Sequence, residues 1–188
     1  DDPQLVETNP VGTLSLIFRG CADLTMQYAI PGEGLDGEQQ LVRLIPGSEI
    51  DCIDRAANAT QSVDINAGMD GGWFEPATTG QGIMVDAHPD PQGENFIYVS
   101  WFTYGDTTAS GQRWFTAQGS FAGALADIVL YETTGGTFDD PRRPETDAIG
   151  TMRLEFADCG HATMNYAVPN EQLEGEIELI RLLPGGEA

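Results

Sequence analysis

A chain of 188 residues with 30 acidic side chains against 8 basic ones, all of them arginine, carries a formal charge of −22. That surface repels phosphate, which sets nucleic acid and anionic membrane aside as partners, and no run of about 18 apolar residues is present to insert into a membrane as a helix. Apolar residues make up 40% and glycine 23 positions, a turn-rich composition suited to β-structure around a core of useful size.

The opening Asp1-Asp2-Pro3 shows no signal-peptide pattern and reads as a processed start. Residues 1–11 are polar with Pro3 and Pro10, an arm leading into the first element. From Gly12 the chain reads GTLSLIFRGCADLTMQYAIPGEGLDGEQQLVRLIPG, and from Gly150 it reads GTMRLEFADCGHATMNYAVPNEQLEGEIELIRLLPG. The offset is 138 residues, without a gap, and about half the positions are identical. This marks a duplicated structural unit, residues 12–47 and again within 149–188. Leu14, Leu16 and Phe18 alternate with Thr13, Ser15 and Ile17, as Met152, Leu154 and Phe156 do with Thr151, Arg153 and Glu155. Period two predicts a half-buried strand. A second strand follows with Met26, Tyr28 and Ile30, or Met164, Tyr166 and Val168, stopped by Pro31 and Pro169. A third is predicted over 39–45 and 177–183, closed by Pro46-Gly47 and Pro184-Gly185. Arg43 and Arg181 share its apolar face with Leu41 and Ile45, and with Leu179 and Leu183. A cation there needs a carboxylate or carbonyls. The expectation is a structural ion pair or a guanidinium reaching the rim; the alternative is contact with an anion or ligand.

Residues 48–70 form a connector, which contains the glycosylation triplet Asn58-Ala59-Thr60. The central region, 71–148, occurs once. Strands are expected over 82–87, 95–104, 112–119 and 124–133, joined by turns rich in Gly, Pro, Asp and Thr. In the second of these, Phe96, Tyr98, Ser100, Phe102 and Tyr104 alternate with Ile97, Val99, Trp101 and Thr103, which predicts a strand covered on both faces. Residues 125–131 have some helical propensity, but Ile128, Val129 and the following threonines favour a strand. The DDPRRPE stretch, 139–145, leads into the second copy.

The central region also carries a resemblance. Gly71-Gly72-Trp73-Phe74-Glu75-Pro76, Gly80-Gln81-Gly82, Trp101-Phe102-Thr103-Tyr104 and Arg113-Trp114-Phe115 with Gly119 resemble a repeated β-domain of exported bacterial proteins, whose words run GxW(Y/F)xP…GxG…W(Y/F)xY…(P/R)W(Y/F)…G and then a Gly-Thr strand. Here Gly72 directly precedes Trp73, so the spaced glycine is Gly71. The resemblance spans 71–185, with 12–47 as a partial second match. It implies export and repetition rather than a chemistry.

Of the three cysteines, Cys21 and Cys159 are equivalent in the repeat, whereas Cys52 moved by the offset falls beyond Ala188. The expectation is a Cys21–Cys52 disulfide in an oxidising, exported setting. Its loop of about 30 residues would contribute roughly 3 kcal/mol in the chain-entropy model. Cys159 would then be a free thiol or pair with another molecule; the alternative is three reduced, buried cysteines. His88 and His161 lack metal-ligand spacing, and no nucleophile elbow, P-loop or dinucleotide fingerprint is present. Asp64, Asp70, Asp90, Asp139 and Asp140 in loops are candidate oxygen ligands for Ca²⁺, without EF-hand spacing. Trp73, Trp101, Tyr104 and Trp114 are either core anchors or the lining of a site that stacks on a sugar or another small ligand.

The sequence therefore predicts an all-β fold: an antiparallel sandwich or barrel-like body with a duplicated three-stranded unit at both ends of the chain. Either both copies flank one shared body, or the first completes a sheet in a neighbouring subunit by strand addition, a head-to-tail contact that builds open assemblies. The function expected is that of a non-enzymatic exported structural protein, a subunit of an extracellular fibre or adhesive layer. The alternative is a secreted calycin-like or carbohydrate-binding module using the tryptophans. No cofactor is expected beyond Ca²⁺.

Overall fold

The structure, a computed structural model, describes residues 9–18, 23–42, 64–89, 95–105, 111–137 and 143–182. The chain divides into two compact units, Asp1–Pro46 and Gly47–Ala188. The fold is all-β, and among the described residues the other regular elements are two short 3-10 turns.

The first unit is a three-stranded antiparallel sheet of β1 (Thr13–Phe18), β2 (Asp23–Ile30) and β3 (Leu35–Val42), in that order. Among the described residues β1 and β3 each pair only with β2. The reversal before β3 is tighter than the spacing of glycines predicts. Glu33 and Gly34 donate to the Ile30 and Pro31 carbonyls, so the third strand begins at Leu35 rather than Gln39. The second copy turns at the equivalent place through Pro169–Glu171, with Gln172 left-handed (φ 56°) where the first copy has Gly34 (φ 66°). A glutamine holds a conformation there that glycine adopts without steric cost.

The second unit is a closed barrel of eight antiparallel strands: β4 (Gly71–Phe74), β5 (Gly82–His88), β6 (Phe96–Tyr104), β7 (Gln112–Ala122), β8 (Leu125–Thr134), β9 (Glu145–Phe156), β10 (His161–Val168) and β11 (Leu173–Arg181). Each strand pairs with its neighbour in sequence, and β11 pairs with β4 to close the ring. Closure removes every free edge. The second copy supplies β9–β11, so the barrel takes three strands from one copy; the two copies do not flank a shared body within it.

Period-two alternation fills the interior. Ile83, Val85 and Ala87 point inward from β5, Ile97, Val99 and Trp101 from β6, Met152, Leu154 and Phe156 from β9. Closure also corrects one expectation. β6 is not covered on both faces: Phe102, on its outer side, is 49% exposed. Strand β4 was not expected, since Gly71-Gly72 carries no β-preference; β5 and β11 on either side supply its ladder.

The two copies share local geometry. A Cβ at Gly150 would collide with the Ala167 carbonyl oxygen, and one at Gly12 with that of Ala29. Gly175 lies beneath the Tyr166 hydroxyl as Gly37 does beneath that of Tyr28. Their burial differs entirely. Met152, Leu154 and Leu179 are 1%, 0% and 2% exposed, whereas the equivalent Leu14, Leu16 and Leu41 are 63%, 47% and 38% exposed. Leu154→Ala should therefore cost about 2–5 kcal/mol of barrel stability, and Leu16→Ala should change it by less than about 0.5 kcal/mol. Urea unfolding of both variants, followed by tryptophan fluorescence, checks the contrast.

Candidate functional site

Three places on the barrel gather the residues that the sequence singles out. The first is the pole where β4 begins. Asn66 accepts a bond from the Gly68 amide at 2.7 Å and caps the 3-10 turn Ala67–Met69. Ile65, whose amide donates to the Gly123 carbonyl at 2.8 Å, Ala67 and Met69 are buried, so the turn plugs the barrel end. Trp73 donates its indole N–H to the Met69 carbonyl at 2.9 Å and meets Phe156 edge-on at 5.2 Å. Arg181 lies 5.3 Å from the centre of the Trp73 ring. It donates to the Gly68 and Asp70 carbonyls at 2.6 Å each and to that of Cys159 at 3.2 Å. The expectation for Arg181 is a structural ion pair or a guanidinium at the rim; among the described residues its hydrogen bonds run to main-chain carbonyls. Burial pushes the guanidinium's pKa down, and the charge of Asp70 opposes that. Arg43 lies outside the described residues.

Asp70 accepts the Ala87 amide at 2.7 Å, which ties the plug to β5. Asp64 is exposed; Asp90, Asp139 and Asp140 lie outside the described residues. Among the described residues no group of three His, Cys, Asp or Glu side chains is placed to hold a metal ion. Cys159 packs against the core from a partly buried position, and its thiol is not free. This corrects the expectation of a free Cys159. Cys21 and Cys52 lie outside the described residues. Beside Cys159, the Asp158 carboxylate accepts the Gly160 amide at 2.7 Å, the His161 amide at 2.8 Å and the His161 ring at 2.9 Å. Burial raises its pKa, but these bonds outweigh it and hold the group below the usual carboxylate range. The set closes a turn between β9 and β10.

The opposite end is tied by Arg113. Its guanidinium makes a two-pronged contact with Glu171 at 2.6 Å per bond, donates to Glu132 at 3.0 Å and lies 4.5 Å from the centre of the Phe115 ring. One cation thus joins β7, β8 and the turn between β10 and β11. Just inside, Trp101 is 4% exposed between Phe115 and Tyr166, with ring centres 5.3 and 4.8 Å away. Its indole N–H is buried without a hydrogen-bond partner among the described residues. Thr103, on the same inward face, donates to Gln81.

The third place is the outer face. Phe102 and Trp114 are directly opposite one another on β6 and β7 and are 49% and 48% exposed. They line a recess of about 470 Å³ with Gly80, Ser100, Gln112 and Arg113. Tyr104 donates to the Thr79 carbonyl at 3.1 Å and pins the loop at its rim. The tryptophans therefore separate. Trp73 and Trp101 belong to the core, Tyr104 to a loop anchor, and only Trp114 is open to a ligand. Phe102 joins it, a residue that sequence reasoning placed on a covered face; the parity it shares with Trp114 across the β6–β7 pair is the signal that finds it.

Comparison with protein-family models, curated proteins and solved structures finds no match.

The Arg113 cluster makes stability pH-dependent. The bonds from Arg113 hold the Glu171 carboxyl below its ordinary value of 4.5, against the smaller opposing effect of burial. A carboxylate with a lowered folded-state pKa adds stability that is complete above its unfolded value and is lost as pH falls through the folded one. Glu171→Gln should be less stable than the parent at pH 7 by about 1 kcal/mol, the partial exposure limiting its worth. The difference should shrink as pH falls below about 4.5. Paired urea midpoints between pH 7 and pH 3 measure it.

Proposed function

We propose that this chain is a unit of an exported, non-enzymatic structural protein, a fibre or adhesive surface layer, in which the first copy closes the barrel body of a neighbouring unit. One observation carries the reading: the first copy exposes at Leu14, Leu16 and Leu41 the side chains whose equivalents the second copy buries. The seat that buries them is defined by β9 against β8 and β11 against β4. The partner of the first copy is accordingly a five-stranded body of the β4–β8 type.

Counting sets the form of the assembly. The chain has two closing units and one body. Copies of this chain alone always leave one closing unit per molecule unmatched, so exchange among them buries no additional surface. A tandem order of body and closing unit satisfies every sheet, and such head-to-tail contacts extend without closing. The charge of −22 suits a hydrated, self-repelling polymer outside the cell.

A designed fusion tests this. Residues 64–144 are placed ahead of Glu7, which restores the order body, closing unit, body, closing unit. The expected product is two closed barrels, with the unfolding amplitude of the buried tryptophans doubled and X-ray scattering of a two-bead particle. Leu16→Arg in the fusion should unfold the added barrel only. An added body that stays unfolded beside a native second barrel would sink the reading.

A second reading rests on the paired exposure of Phe102 and Trp114, a flat aromatic step suited to stacking on a sugar ring or similar small ligand. Under it, fluorescence titration against a glycan panel gives saturable quenching that Trp114→Ala abolishes with the barrel intact. Absence of any saturable response leaves the step as a surface feature.

A further inference from the structure

Resting on the reading of the first copy as a closing unit, we propose that it also fits the body of its own chain. Strands β1, β2 and β3 take the places of β9, β10 and β11, giving a circularly permuted barrel ordered β2-β3-β4-β5-β6-β7-β8-β1. The two copies then compete for one body.

The connectivity permits this. In the barrel β11 ends beside the start of β4: Arg181 pairs with Trp73, and the Leu182 amide donates to the Gly72 carbonyl at 2.8 Å. The copy that precedes β4 in sequence thus needs to end where β4 begins. Residues 43–63 join β3 to the plug, a far longer stretch than the spacing of about 4.8 Å between neighbouring strands requires. No strand of the body changes its connection. At the other side β1 would lie against β8, as β9 does now.

The first copy also keeps the features that seat the second. Tyr28 rests over Gly37 as Tyr166 does over Gly175, and Tyr166 is the residue that meets Trp101 at 4.8 Å. Arg43 stands in the repeat where Arg181 binds the plug carbonyls. The likeness continues upstream, Glu7-Thr8-Asn9-Pro10-Val11 against Glu145-Thr146-Asp147-Ala148-Ile149. Pro10 falls at the place of Ala148, which sits opposite Tyr131 at the irregularity between Leu130 and Tyr131. Bulges are among the few positions in a sheet that accept proline.

Two differences set the balance in favour of the second copy. Gln39 replaces Ile177, which is 6% exposed in the barrel. Closure by the first copy would therefore bury an amide among apolar groups. Ser15 replaces Arg153, whose guanidinium is 3.5 Å from Asp127 on β8. Closure by the first copy would release β9–β11 and expose Met152, Leu154 and Leu179, so that the second copy becomes the unit handed to a neighbour.

The test is the chain ended at Pro144, with one body and one closing unit. A monomer with native-like near-ultraviolet circular dichroism and shielded tryptophans, both lost in Leu16→Arg, is the expected result. A closed species that is dimeric or larger would overturn closure within one chain while leaving the array reading intact. An unfolded chain, when residues 145–182 supplied as a separate peptide restore the same body, would overturn both. In the full chain, Gln39→Ile should raise hydrogen exchange of the β10 amides about tenfold by populating the permuted form. Unchanged exchange in that variant overturns the competition.

Discussion

Strand β4 meets β11 over two residue pairs only, Phe74 with Ile180 and Trp73 with Arg181, and the closed barrel depends on that seam. Every other adjacency in the barrel is between strands that are neighbours in sequence. The seam has no turn. It is held from the side, by an indole that bonds the plug and an arginine that gathers two plug carbonyls and that of Cys159. The arginine's bonds to Gly68 and Asp70 each span more than 100 residues, and the arginine's donors are met by carbonyl oxygens. Without the plug, the seam would be a short ladder with an unpaired cation beside it.

The remaining polar side chains follow from that closure. At the far end Arg113 performs a comparable task with carboxylates, joining strands that the ladder leaves separate. The difference in partners follows exposure. Carboxylates suffice near water, whereas the plug presents main-chain oxygens that would otherwise lack donors. Asp70 and Asp158 are occupied with backbone amides. In a chain so acidic, several of the carboxylates that first suggest chemistry are fastening turns.

Much of the fold was legible in the sequence because strand parity and repetition are local signals. The duplicated sheets, four of the central strands and the all-β class follow from them. Closure was not legible, since β4 begins with two glycines and its place depends in part on β11, more than half the chain away. That same omission assigned β6 two covered faces. Of the aromatic residues, parity separates Trp101 from Phe102 but cannot say which side is inside until the ring is closed. The burial contrast between Leu16 and Leu154 lay beyond the reach of sequence altogether. Both strands carry the same alternation, and what buries one of them is a partner.

The plug belongs to residues 64–70, ahead of β4, and not to either copy. The body therefore carries its own stopper, and with it two of the three carbonyls that the closing arginine binds. The meander lets its hairpins form locally, while the seam, which joins the most distant residues, comes last. A body just made would stay open for that interval with its stopper already in place. During synthesis the earlier copy is on hand throughout it, and the later one arrives only at the end. On the proposal that either copy can close the barrel, the choice between them is a matter of timing before it becomes one of fit.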